Sequence, residues 1–157
     1  MKTFLRTFVW LAVVVWLGAL LFFPVTAWAA FSSISDTHAA GTIVAKCLGV
    51  LHHEGLVAGF VIIFLLLIGR GTRSFHTSTV IAGIVVALAM MGLTAFSQFS
   101  IIPRMEGYRM AAGGAIDNVP KTDPRHVGFD RLHVESVDLE EAVILGGVIL
   151  VVVLARE

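Results

Sequence analysis

Seven polar side chains stand where this sequence is otherwise apolar: His52, Glu54, Thr94, Gln98, His133, Ser136 and Glu140. Imidazole and carboxylate together handle protons near neutral pH and bind borderline divalent metals. Inside a bilayer such groups are costly and mark function by default. Their spacing sorts them. His52, Gly55 and Gly59 recur at i, i+3 and i+7 and share one helical stripe, with Leu48 above them. The two glycines let a neighbouring helix come close, which turns His52 toward a bundle interior. His133, Ser136 and Glu140 repeat that spacing on a later segment. His53 lies about 100° round from His52, and Glu54 about 100° further, so the three do not face one partner. Plainer readings stand beside these. His52 would then only hydrogen-bond a Ser, Thr or Gln of a neighbouring helix. Arg131 to Glu141 would be the wet start of a long helix, its acids suiting the N-terminal dipole. Gly55 and Gly59 would pack within the chain and form no dimer motif.

Composition says what must hold these residues. Hydrophobic residues make up 57% of the 157 and charged residues 14%, where a soluble domain carries about 25% charged. Eleven Lys and Arg balance eleven Asp and Glu, so no basic surplus exists to hold a phosphate backbone, and nucleic acid is excluded as a partner. The single cysteine, Cys47, excludes an internal disulfide framework and a cysteine-cluster metal site. No Ser/His/Asp arrangement, phosphate loop or HExxH motif appears, and the chain reads as a non-enzyme.

The gaps between charges give the spans. Thr7 to Ser35 is uncharged, Cys47 to Gly69 is interrupted only by Glu54, and Ser74 to Pro103 is uncharged. The last gap, Ala142 to Ala155, is shorter than the roughly 20 residues a crossing helix needs. It must borrow the turns from about Leu132, which carries Glu135, Asp138, Glu140 and Glu141 toward the membrane. The predicted fold is all-α: a polytopic membrane protein, one four-transmembrane-helix bundle over 1–157. Its helices fall near 6–31, 42–69, 77–102 and 128–155, with an external loop at 103–127. Continuous apolar runs exclude a closed barrel, whose strands alternate.

Local signals refine this. Lys2, Arg6 and Ala27-Trp28-Ala29 resemble a cleavable signal, but the apolar run far exceeds a signal core of about 7–15 residues. An uncleaved first helix, kinked at Pro24, is expected. Gly71 is expected to make the tight 70–76 connection and Gly113-Gly114 a flexible point. Asp123-Pro124 suits an N-cap followed by proline at the first helical position, so the fourth helix can begin there. Lys2, Arg6, Arg70 and Arg73 favour a cytoplasmic N-terminus in the cell (inner) membrane. Arg104, Arg109, Lys121 and Arg125 oppose it, because alternation puts their loop outside.

Four stretches together resemble one family. They are Trp16-Leu17-Gly18 leading to Phe22-Phe23-Pro24; Leu51-His52 with Gly55; Ser97-Gln98-Phe99 running into Ile102-Pro103-Arg104-Met105; and Phe129-Asp130-Arg131-Leu132-His133 followed by Ser136. The chain is similar over nearly its whole length to the transmembrane protein 205-like family, also described as domain of unknown function 4149. The resemblance implies a four-helix membrane protein and supplies no enzyme reaction. A vertebrate relative is associated with resistance to platinum drugs, which implies a cationic or metal-like cargo.

Depth ties the polar residues together. If the second helix enters the membrane near residue 45, His52 lies roughly 10 Å below the outer surface. Glu140, counted back from Ala155, lies roughly 8 Å below it, and Thr94 and Gln98 come out near the same level. Three helices thus bring polar groups to one depth in the outer half. The leading reading is a small carrier, or a subunit of one, with a polar outward-facing site for a small solute, proton or metal ion. It needs no cofactor beyond the bilayer, and homo-oligomerisation would thicken its thin wall. Two other readings remain: a redox protein with haem between His52 and His133, and a non-catalytic membrane scaffold.

Overall fold

The computed structural model describes residues 2–157. Five α-helices follow one another: α1 (Lys2–Ser33), α2 (Thr37–Gly71), α3 (Thr77–Phe96), α4 (Ile102–Ala111) and α5 (Pro124–Leu154). A π-helical segment, Ser97–Ile101, joins α3 to α4 without a break, and a 3-10 turn, Ile116–Asn118, follows α4. Among the described residues there is no strand. Three stretches are long and apolar enough to cross a membrane: α1, α2 and the run from Thr77 to Asn118. The fourth long helix, α5, has the length, but Asp138, Glu140 and Glu141 intrude on its apolar half.

Apolar stripes decide the packing. Leu5, Val9, Val13, Trp16 and Leu20 form the buried edge of α1, and Leu132, Ser136, Val143, Gly147, Leu150 and Leu154 that of α5. Steps of three and four residues keep each stripe against its neighbours. In space α1 packs on α2, α2 on α3, α3 on α5, and α5 returns to α1. Trp16, Ile62, Leu66 and Leu150 fill the centre. Large apolar side chains also cover the outside: Phe22, Trp28, Val50, Phe60, Phe64 and Phe99 are each more than half exposed. Water does not favour so continuous an apolar skin, and a lipid phase does.

Several boundaries differ from those expected, each for a local reason. Helix α2 starts at Thr37 and not near 42, because the Asp36 carboxylate accepts hydrogen bonds from the backbone N–H of His38 (2.9 Å) and Ala39 (3.3 Å). The third helix does not stop at 102. Proline at 103 has no N–H to give the preceding turn, and the chain absorbs the loss by widening. The Ile102 N–H reaches back five residues to the Ser97 carbonyl. The helix then continues to Ala111, so much of the expected 103–127 loop is helical. Gly113 and Gly114, with φ of 85° and 98°, turn the chain away from α4. In the 70–76 connection the left-handed residue is Arg73 (φ 54°), whereas Gly71 ends α2. Helix α5 does begin at Pro124, on an Asp123 cap whose carboxylate accepts from the Arg125 N–H at 2.8 Å. Helix α1 runs unbroken through Pro24.

Candidate functional site

One imidazole ties three helices together. His52, on α2, is 1% exposed. Its Nδ1 lies 2.8 Å from Oε1 of Gln98, in the π segment, and its Nε2 contacts Oε1 of Glu140, on α5. Each partner has a structural origin. Gly55 and Gly59, one and two turns below His52, lie beneath Trp16 and Met91, so the neighbouring helices approach α2 closely. The widened turn ahead of Pro103 carries Gln98, and the α5 stripe through Ser136 and Val143 places Glu140 between them.

The hydrogen bonds fix the proton chemistry. An amide oxygen only accepts, so Nδ1–H donates to Gln98 and the remaining nitrogen, Nε2, faces the carboxyl of Glu140. One proton shared across that contact gives either an imidazolium beside a carboxylate or a neutral imidazole beside a carboxylic acid. Both arrangements are neutral as a pair. A net negative charge on the pair would be costly in so apolar a bundle without a compensating positive one. Thr94 and Ser136 are buried one turn from Gln98 and Glu140 on the same faces. Because α3 and α5 run antiparallel, Thr94 flanks the triad on one side along the bundle axis and Ser136 on the other. Each is about 6 Å from its neighbour along the helix.

Two expected members lie elsewhere. His133 is exposed and stacks on Phe129, ring centroids 6.4 Å apart. The buried stripe of α5 runs through Leu132 and Ser136, which turns His133 off the interior face. His52 and His133 therefore do not form an axial pair for haem, and both His52 nitrogens are already engaged. Glu54 looks toward α1, two residues and about 200° round α2 from His52, and neither of its oxygens has a hydrogen-bond partner. Among the described residues no three His, Cys, Asp or Glu side chains converge as metal ligands.

Spacing gave no sign of the π segment at Ser97 or of two arginine contacts at the bundle ends. Ser97 is fully buried with its hydroxyl unpartnered, beside Gln98 in the π segment. Pro103, one turn on, was the available signal for that segment. Arg6 joins both ends of the chain to the α2–α3 turn. It donates to the Ser74 carbonyl (3.2 and 3.0 Å) and pairs with Glu157 at 3.2 Å, and its guanidinium lies 5.6 Å from the Phe75 ring centre. Burial pushes the Glu157 carboxyl up, but hydrogen bonds from Thr79 and the His76 N–H, with the charges of His76 and Arg6, hold it below the usual range. At the opposite end Arg109 donates to Thr42 (3.0 Å) and pairs with Glu106 (3.3 Å), fastening α4 to the start of α2. The Arg125 side chain and then its backbone N–H hold the Asp123 carboxyl at about 2, down from 3.8.

No protein-family model, curated protein or solved structure matches this chain.

Proposed function

We propose that this chain is a small multi-pass membrane carrier, or a carrier subunit, that moves a small cation in exchange for the proton held between His52 and Glu140. The observation that carries the reading is the fully buried His52 with both ring nitrogens engaged by residues of two other helices. Chains of His and acidic groups at membrane depth are the usual parts of proton-coupled transport. When the pair gives up its proton, its carboxylate accepts the cation in its place. When a proton returns, the cation leaves. Proton and cargo thus compete for one negative charge. Gln98 keeps the imidazole in the tautomer that aims Nε2 at Glu140, and Thr94 and Ser136 extend polar groups to either side.

The reading takes α5 as a fourth crossing helix, with its acids in the outer half and the N-terminus cytoplasmic, in the cell (inner) membrane. It includes assembly with further copies, since four helices enclose little space. The likeness to the transmembrane protein 205-like family belongs to the same proposal, resting on Ile102–Met105 and Phe129–Ser136.

The test is flux in proteoliposomes with an internal pH dye and an imposed gradient of a small cation. Cation-driven proton movement in the wild type, lost in both His52→Ala and Glu140→Gln, is the expected result. A scaffold is the second reading, favoured by the same triad, because a buried polar cluster joining three helices also fixes their register. Absence of flux from a folded wild type, or equal flux in wild type and both variants, decides for the scaffold.

A further inference from the structure

On the side of α2 away from His52, a groove of about 990 Å³ runs between α1 and α2. Phe8, Leu11 and Val15 form one wall, and Val50, Val57 and Val61 the other. All six are exposed on the apolar outer surface, so the groove opens toward lipid. Its size is at the upper end of the roughly 300–1,000 Å³ range of small-molecule sites. One residue does not belong in such a wall. Glu54 lines the groove, and both its carboxylate oxygens are sealed from solvent without a hydrogen-bond partner. Such a group is costly to keep ionised unless something supplies a compensating charge, and a cation in the groove would hold it in that form.

The chain itself does not supply it. Lys46 also lines the groove, two turns along the same helix, but is exposed and about 12 Å from Glu54 along the axis. His53 is exposed, and its Nδ1 engages the Gly49 carbonyl at 2.6 Å. An acyl chain would fill the apolar walls and leave the carboxylate bare. A second copy packed in parallel would bring its Lys46 to the level of the first Lys46, not to that of Glu54. The occupant that satisfies walls and carboxylate together has an apolar body and one positive charge.

We propose that the groove between α1 and α2 binds a lipophilic organic cation entering from the leaflet, with its charge against Glu54 and its body along Phe8, Leu11, Val15, Val50, Val57 and Val61. The site is separate from the His52 triad and does not rest on the carrier reading, because it is defined by equilibrium binding alone.

The experiment measures binding of tetraphenylphosphonium to the full chain in lipid nanodiscs, with neutral triphenylphosphine oxide as the uncharged comparison. Saturable phosphonium binding is expected in the wild type. It should weaken about tenfold or more in Glu54→Gln, which removes the charge and keeps the shape. Val57→Trp, which fills the groove and leaves the carboxylate, should weaken it as well. Asp138→Asn, an exposed acid of α5 outside the groove, should bind as the wild type does, and because binding is read without flux, failure of the carrier reading leaves this result intact. Equal binding by wild type and Glu54→Gln, equal affinity for the neutral compound, or no saturable binding overturns the proposal. So does a dimer that dissociates in Glu54→Gln, which would assign the groove to a second copy.

Discussion

The indole of Trp16 lies directly over the backbone of Gly55, so that a Cβ at position 55 would overlap its Nε1 edge. Trp16 is itself almost fully buried, and its six-membered ring also covers Gly59, one turn on. The contact sets the distance between α1 and α2, and with it the level at which His52 meets its partners. Gly55→Leu should lower detergent stability, since overpacking costs about 1–3 kcal/mol, and Gly59→Leu should do the same against Met91. Thermal unfolding followed by tryptophan fluorescence reads this. Melting unchanged in both variants would show that α1 does not press on this stripe.

The His52–Glu140 contact separates stability from function. Truncating one partner leaves the other buried and unpaired, a loss of about 3–5 kcal/mol in the interior of a protein. Replacing both with apolar residues is often neutral. His52→Leu and Glu140→Leu should each destabilise, the double variant should recover most of the melting temperature, and all three should lack flux. Purely additive destabilisation would mean that the two side chains do not act as one unit.

Gln98 should behave differently. Hydrogen bonds between membrane helices average only about 0.6 kcal/mol, so Gln98→Leu should barely change melting. It should instead alter the pH profile of flux, because Nδ1–H loses the acceptor that fixes the tautomer. Asp138→Asn, at an exposed position, and Glu135→Gln should leave flux near that of the wild type. Equal losses at Glu135, Asp138 and Glu140 would point to a general acidic cap.

Asp123 gives a prediction about pH. Its carboxyl is held near 2 in the folded chain, below its ordinary 3.8. A lowered folded value means that its stabilising contribution is fully present above about pH 4 and disappears as the pH falls through about 2. Amide exchange at residues 125–128 should therefore quicken across that window in the wild type. Asp123→Ala should show fast exchange there at every pH. Slow exchange in the variant would mean that Pro124 alone starts the helix.

Topology is tested by reporter fusions. Fusions at Thr72 should read cytoplasmic, and those at Ser33 and Gly114 exterior. The reverse pattern would show that Arg104, Arg109, Lys121 and Arg125 govern the orientation.

Sequence alone determined the all-helical class, the three long apolar helices and the common level of His52, Gln98 and Glu140 along the bundle. Long uncharged runs leave a chain in lipid little choice but helix, and Asp123-Pro124 marks the start of α5 by its chemistry. The rise per residue brought His52, Gln98 and Glu140 to one level before any packing was known. What depth cannot give is azimuth. A ring is readable from spacing only while the helix stays ideal, and the widening before Pro103 shifts every later residue of that segment. On α5 the interior stripe passes through Leu132 and Ser136, a choice made by the helices it packs against, and His133 is left outside. Glu54 could be seen to point away from His52, but only the packing of α1 against α2 gave it a groove and no partner. Arg6 and Glu157 lie at opposite ends of the chain, and closure of the helices into a ring is what joins them.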